Sequence, residues 1–258
     1  SLTTLAYDGR RGEMFQNQLI AALKILQAGD TDPEHMLGSW AGAMGHTQFM
    51  PTSYLDYAVD FTGDGRRDIW SEDPTDSLAS TANYLRRNGW VPGQAWGAEV
   101  QLPSNFNMGL VGKGTRRSSG DWSAQGVRKL GGGALPNGNG SIIMPAGARG
   151  PAFLILDNFR SILRYNNSDN YALGVAFLGE RIAGRAGIQG AWPRSDRPLS
   201  TNEREEIQRR LAQKGFYQGE IDGLFGSATM ESVSAFQRSI GTTPDGYPTS
   251  ILLEQLRR

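Results

Sequence analysis

Asp60-Phe61-Thr62-Gly63-Asp64-Gly65-Arg66-Arg67-Asp68 sets oxygen-bearing side chains at the first, third, fifth and ninth places of a loop, with glycine at the sixth. That is the first half of an EF-hand, in which the seventh place, here Arg66, offers its backbone carbonyl and glycine permits the sharp turn. The chemistry in view is binding of calcium or a similar hard cation in a structural role. The twelfth place, where a bidentate glutamate closes such a loop, holds Ser71, followed by Glu72 and Asp73. Read without a metal, the same segment is an Asp-Gly turn. A second candidate is Gly38-Ser39-Trp40-Ala41-Gly42-Ala43-Met44-Gly45-His46-Thr47-Gln48-Phe49-Met50-Pro51, whose small residues let the backbone approach either another helix or a ligand. A third is Arg164-Tyr165-Asn166-Asn167-Ser168-Asp169-Asn170, polar apart from Tyr165 and set between two helical patterns, where a site could sit. Other chemistries are excluded by composition. There is no cysteine, so thiolate sites and disulfides are ruled out, and with His35 and His46 the only histidines a His-based triad or a multi-His zinc site is nearly excluded.

The elements that must position these residues fall into two parts. Residues 1 to about 90 read as mainly helical, with Met14, Leu19, Ala22, Leu23 and Leu26 spaced to build one apolar core face. From about 91 to 150 short apolar pieces, Ala98–Leu102 and Ser141–Met144, stand among Gly, Asn and Pro and predict a small strand subdomain. Helical pattern returns over Phe153–Leu163 and Tyr171–Ile182. Residues 193–199, with two prolines and alternating charge, read as a linker between a domain at 1–192 and a small one at 200–258. In the latter, Ser200 with Glu203 makes a capping box, Ile207 and Leu211 lie a turn apart, and Gly215 can end the helix. A second helix from about Thr229, with Val233, Phe236 and Ile240 on one side, and a third over Thr249–Leu256 complete a three-helix module. Asp222-Gly223 and Asp245-Gly246 precede these two helices at similar offsets, which predicts a degenerate repeat of turn plus helix.

At 258 residues and 38% hydrophobic the chain can build a real core, and 26 basic against 26 acidic residues leave no field to hold nucleic acid or an anionic membrane. No run of about 18 apolar residues offers a membrane span. The start at Ser1, without Met, reads as a processed or trimmed product, with any export signal or lipid anchor lying outside it.

The Gly38–Pro51 segment, followed by Tyr54, Ala58, Val59 and Asp60, resembles the signature of the lytic murein transglycosylase B family, soluble or membrane-bound. Leu5–Arg11, Ala82-Asn83-Tyr84-Leu85 with Gly89-Trp90, and Arg164–Tyr171 resemble the same family in the right order, over residues 1 to about 190. Gly215-Phe216-Tyr217, Gly219, Asp222-Gly223, Phe225-Gly226, Thr229, Val233, Phe236-Gln237 and Asp245-Gly246 look like a peptidoglycan-binding module. The resemblance implies a lysozyme-like α+β domain, mainly α with a small strand subdomain, ahead of the three-helix module. It implies cleavage between N-acetylmuramic acid and N-acetylglucosamine by attack of the muramyl C6 hydroxyl, giving a 1,6-anhydro end, so that one carboxyl acts as acid and then base.

Carried onto this sequence, the resemblance places Ser39 and Gln48 beside the sugar, Tyr165, Asn166 and Tyr171 along the site, and Tyr84 in the groove. Arg10 and Arg11 match a pair along the glycan cleft, where guanidinium forks could bind muramyl peptide carboxylates. By themselves Tyr84 reads as helix packing and the arginines as a solvated face. Asp76 matches the residue that closes a lengthened cation loop, joining Asp60, Thr62, Asp64, Arg66 and Asp68 as structural calcium ligands. The catalytic glutamate belongs to a helix just before the Leu5–Arg11 match, so it is expected upstream of Ser1; Glu13 reads as a solvated charge. No cofactor is required. The expected partners are peptidoglycan strands and other wall synthesis or hydrolysis proteins, and the expected location is the periplasm of a Gram-negative bacterium. Two other functions fit the residues: a non-catalytic peptidoglycan-binding or scaffolding protein, and a hydrolytic muramidase.

Overall fold

The structure is a computed structural model that describes residues 1–9 and 11–258. It divides into two compact units, Ser1–Pro92 and Gly93–Arg258.

The first unit carries α1 (Leu2–Tyr7), α2 (Gly12–Ala28), α3 (Pro51–Tyr57) and α4 (Thr75–Arg87), with long irregular segments at 29–50 and 58–74 where mainly helix was expected. Aspartates and glycines recur in those segments, and Asp32, Asp60, Asp64 and Asp68 bond nearby backbone N–H groups instead of permitting a helical ladder. The expected core face of α2 is also corrected. Gln18, Ala21, Ala22 and Ile25 are buried, whereas Met14 and Leu23 are exposed and Leu19 and Leu26 half-buried. Apolar residues run around more than half of this helix, so spacing alone did not single out the inward face. Gln18 is buried because its amide clamps the start of α3: Oε1 accepts from Thr52 N at 3.0 Å.

The second unit holds an antiparallel sheet ordered β2-β4-β5-β1-β3, made of β1 (Gly97–Gln101), β2 (Arg117–Ser118), β3 (Arg128–Lys129), β4 (Asn139–Ile143) and β5 (Ala152–Ile155). Phe153–Ile155, expected in a helix, is the central strand. Every residue of β5 is buried, so it lacks the polar alternation of a half-exposed strand. Its register, Ala98↔Leu154 and Ile142↔Leu154, gathers Val100, Phe106, Ile142 and Leu154 around the fully buried Trp122, which donates Nε1–H to Gly140 O at 3.0 Å. Phe153 meets Phe177 edge to face at 5.7 Å. The helices of this part are α5 (Ser119–Ala124), α6 (Asp157–Tyr165) and α7 (Asp169–Ile182).

The same unit ends in α8 (Thr201–Gln213), α9 (Ser227–Ser239) and α10 (Ser250–Arg257) around Ile207, Leu211, Val233, Phe236, Leu252, Leu253 and Leu256. The Ser200–Glu203 capping box forms in both directions, and Gly215, at φ 80°, ends α8. α9 begins at Ser227, and Ile240, expected on its inner side, is exposed past its last turn. The two Asp-Gly turns are wired alike. Gln208 Oε1 accepts from Asp222 N and Gly223 N and its Nε2 donates to Asp222 Oδ1; Gln237 Oε1 accepts from Gly246 N and its Nε2 donates to Asp245 Oδ1. Both glycines sit at φ 68°. Among the described residues no helix is long and apolar enough to cross a membrane.

Candidate functional site

In the first unit the Gly38–Pro51 segment is not helical before Pro51, which opens α3. Gly38 bridges to Met44 and Met44 to Phe49, folding it into two successive tight turns. The first turn holds Ser39: its N–H donates to Ala43 O at 2.7 Å and its Oγ accepts from Ala43 N at 3.1 Å. A Cβ on Gly38 would collide with the Ala43 carbonyl and one on Gly42 with the Leu2 side chain of α1, so the small residues serve both this closure and a close helix contact. Because Ser39 Oγ is used as an acceptor, its hydroxyl hydrogen is left to donate outward. The second turn holds Gln48 at φ 51°, a left-handed conformation uncommon for a non-glycine residue. Its Nε2 donates to Gly45 O at 2.8 Å, which aims the exposed amide. Tyr84 of α4 packs against Tyr57 edge to face at 4.6 Å and against Phe49 at 5.6 Å, which ties it to the end of this segment. Arg11 is the N-cap of α2, at φ 55° and exposed. Arg10 lies outside the described residues.

The cation loop braces those turns. His46 donates its backbone N–H to Ile69 O and its Nε2–H to Ser71 O, each at 2.9 Å, and a Cβ on Gly45 would stand 2.5 Å from Ile69 O. Within the loop, carboxylate oxygens of Asp60, Asp64 and Asp76 all lie within 4.8 Å of one another. Asp76, buried at the start of α4, accepts from Phe61 N, Thr62 N and Asp68 N at 2.9 to 3.0 Å. Asp60 accepts from Gly63 N at 2.6 Å and Gly65 N at 2.9 Å. Desolvation pushes the Asp60 carboxyl up, but those amides and the Thr62 hydroxyl outweigh it and hold it below the usual range. Thr62 Oγ1 donates to Asp60 Oδ1 at 3.3 Å, and Asp64 Oδ1 accepts from Arg66 N at 2.9 Å. Asp68 stands apart from the cluster. Its Oδ1 accepts from Trp70 N and Ser71 N, making a turn at the far end of the loop. Three hard oxygen donors around one point fit calcium; Asp68, as placed, is not one of them.

Behind this loop, Asp30 escaped the sequence reading, and Tyr54 was named there without a role. Asp30, 6% exposed, pairs with Arg67 at 2.6 Å and also accepts from Arg67 N at 3.0 Å. Fully buried Tyr54 donates its hydroxyl to Arg67 O at 2.5 Å, and the Arg67 guanidinium lies 5.0 Å over its ring. Burial, reinforced by the Asp30 charge, raises the Tyr54 phenol and keeps it a donor. Nothing local in sequence links Asp30 to Arg67.

In the second unit the expected polar loop is shorter than its sequence suggests, since Arg164 and Tyr165 end α6 and Asp169 and Asn170 begin α7. Asn166 is the exposed C-cap of α6, donating its N–H to Ile162 O at 3.1 Å. Ser168 caps α7 by accepting from Tyr171 N at 3.3 Å. The sharp connection brings the Tyr165 and Tyr171 rings within 6.5 Å, tilted by only 10°. The near-parallel rings can meet a flat apolar sugar face, and the exposed Asn166 of the same connection its polar substituents.

Comparison with known proteins agrees with this architecture. Residues 1–180 match the transglycosylase SLT domain, and residues 200–256 a putative peptidoglycan binding domain. Membrane-bound lytic murein transglycosylase B of Escherichia coli K12 is 37% identical over 193 residues, 71% of this chain and 50% of that protein; the chain thus spans half the length of this curated relative. SltB3 of Pseudomonas aeruginosa, solved in complex with NAG-anhNAM-pentapeptide, is 52% identical over 100% of this chain and 69% of its own, with a TM-score of 0.93. The Escherichia coli lytic transglycosylase Slt35, solved in complex with calcium, is 34% identical over 70% of this chain and 57% of its own, with a TM-score of 0.57.

Proposed function

The chain belongs to the transglycosylase SLT domain family, and from that premise we propose that it cleaves the bond between N-acetylmuramic acid and N-acetylglucosamine in peptidoglycan, leaving a 1,6-anhydro end. The observation that carries this reading is the 52% identity along the whole chain to SltB3, a protein held in a crystal with an anhydromuramyl ligand. Retention on the wall is the task of residues 200–258, and the periplasm is the compartment where that polymer is met.

The reading needs one carboxyl as proton donor. Glu13, exposed in the first turn of α2, is not promoted to that role. The residues of this chain bind and orient. Ser39 donates a hydroxyl hydrogen, and Gln48 offers Oε1 to the N–H of an acetamido group and its second amide hydrogen to a sugar oxygen. Asn166 offers an exposed amide and Tyr165 and Tyr171 ring faces, and Tyr84 and Arg11 extend the contacts with sugar and peptide carboxylate. No second carboxylate is needed, since the attacking hydroxyl belongs to the substrate, and neutral polar groups suit holding the substrate amide and hydroxyls while oxocarbenium character develops. Asp60, Asp64 and Asp76 hold calcium, which stiffens the loop bracing the Gln48 turn; the calcium complex of Slt35 supports this assignment.

The test is digestion of purified peptidoglycan by the full-length protein, with mass spectrometry of the released ends. Anhydromuramyl ends support the proposal. Reducing muramic ends would make the protein a hydrolytic muramidase, and retention without release would make it a wall-binding protein.

A further inference from the structure

The two Asp-Gly turns of the three-helix module share their wiring but not their surroundings. In each, a helix glutamine holds the turn from within, the aspartate Oδ1 accepts from the residue two places on, and a left-handed glycine packs on a helix. Leu224 N donates to Asp222 Oδ1 at 2.8 Å, and Tyr247 N to Asp245 Oδ1 at 2.9 Å. A Cβ on Gly223 would stand 3.4 Å from Thr201 O, and one on Gly246 2.8 Å from Met230 O.

The second turn is occupied by the protein itself. Asp245 Oδ2, its outer oxygen, accepts the backbone N–H of Ala148 at 2.7 Å. The residue before that amide is Gly147, and a Cβ there would lie 2.7 Å from Asp245 Oδ2 and 2.7 Å from Tyr247 Cβ. Arg149 pairs with Asp196 beside it. What this turn recognises is therefore a peptide amide next to a very small residue, with the side chain two places after the aspartate closing over it.

The first turn presents the same groups to solvent. Asp222 Oδ2 has no partner among the described residues, Leu224 in the place of Tyr247 is 67% exposed, and Ile221 is 44% exposed. The Gln208 amide and then the Leu224 N–H hold the Asp222 carboxyl below the usual range, so it is a charged acceptor at neutral pH. We propose that this free turn binds the peptide part of peptidoglycan, Asp222 Oδ2 accepting a stem amide N–H while Leu224 and Ile221 cover a small apolar side chain such as alanine's. A sugar is the poorer occupant, because the turn offers branched aliphatic groups and no aromatic plane for a pyranose face. The inference rests on the wall-binding reading of residues 200–258.

The experiment is calorimetric titration of the full chain with the free stem pentapeptide and, separately, with the peptide-free disaccharide. Asp222→Asn keeps an oxygen for Gln208 and Leu224 but puts an N–H₂ where the outer oxygen stood. It is expected to weaken pentapeptide binding about tenfold with an unchanged melting temperature, while disaccharide binding stays at the wild-type value. Leu224→Ser, which changes only a side chain outside that backbone hydrogen-bond set, should weaken the pentapeptide too, and Asp245→Asn should not. Wild-type affinity in Asp222→Asn, equal losses for both ligands, or no pentapeptide binding by the wild type would each overturn the inference. Release of anhydromuramyl ends is scored separately, so the cleavage reading stands or falls on its own result.

Discussion

At the scale of single residues, the cation loop separates side chains that bind from side chains that only fold. Asp60 and Asp64 are exposed, whereas Asp76 is buried and holds three backbone amides of the loop. Calcium at a hundred times its dissociation constant is expected to raise stability by about 2.7 kcal/mol, read as a shift in thermal unfolding. Asp64→Ala should abolish that shift and leave the calcium-free protein nearly unchanged. Asp76→Ala should abolish it and also lower calcium-free stability, because three amides lose their acceptor. A wild type indifferent to calcium would reduce the loop to an Asp-Gly turn. Behind the loop, Arg67→Ala strands the Asp30 carboxylate at 6% exposure without its cation. The cost is about 3 kcal/mol, the lower end for a broken buried pair, since Arg67 retains partial access to water. Urea denaturation would measure it, and a loss below about 1 kcal/mol would contradict the assignment.

At the scale of elements, α8 is anchored by carboxylates whose titration can be followed. Arg197, then the Ser200 N–H, hold Glu203 down to about 2; Arg257, then Arg210, hold Glu206 down to about 2. Both values lie below the ordinary glutamate value of about 4.3, so the native module binds fewer protons than the unfolded chain in between. Their stabilisation is whole above that ordinary value and fades as the pH falls toward 2. The melting temperature of the module should drop across that window, and Glu206→Gln should flatten part of the drop. A flat profile in the wild type would mean that these ion pairs are too solvent-screened to matter. The same elements mark the limit of what sequence conveys. The Ser200–Glu203 cap and the Asp-Gly turns were legible because their partners lie a few residues away or repeat a local pattern. The roles given to Ser39 and Gln48 rest on family resemblance alone, since composition there admitted a helix contact as readily as a ligand, whereas the polar run around Asn166 stood out by composition before any resemblance. β5 was missed because a strand buried on both faces loses its alternation. Gln208 was missed, and Gln237 entered only through the resemblance, because a buried glutamine answers to a turn elsewhere in the chain, which no periodicity reports.

At the scale of the whole molecule, charge is the property that bears most directly on meeting a polymer. The 26 basic and 26 acidic residues cancel, and ion pairs such as Lys113–Asp169, Arg116–Asp157 and Arg257–Glu206 neutralise many of them locally. Without a net field there is little long-range steering toward an anionic wall, and little for salt to screen beyond a Debye length of about 10 Å at 0.1 M. Recognition should then depend on contacts that need no net charge: hydroxyl and amide hydrogen bonds at Ser39, Gln48 and Asn166, ring faces at Tyr165 and Tyr171, and one carboxylate meeting a neutral peptide amide at Asp222. Cosedimentation with purified sacculi is accordingly expected to change less than about twofold between low and moderate salt. A steep loss with salt would instead assign binding to Arg11 and the other exposed cations, each counter-ion released adding to the slope. It would shift the search for the wall contact from the neutral donors to those arginines.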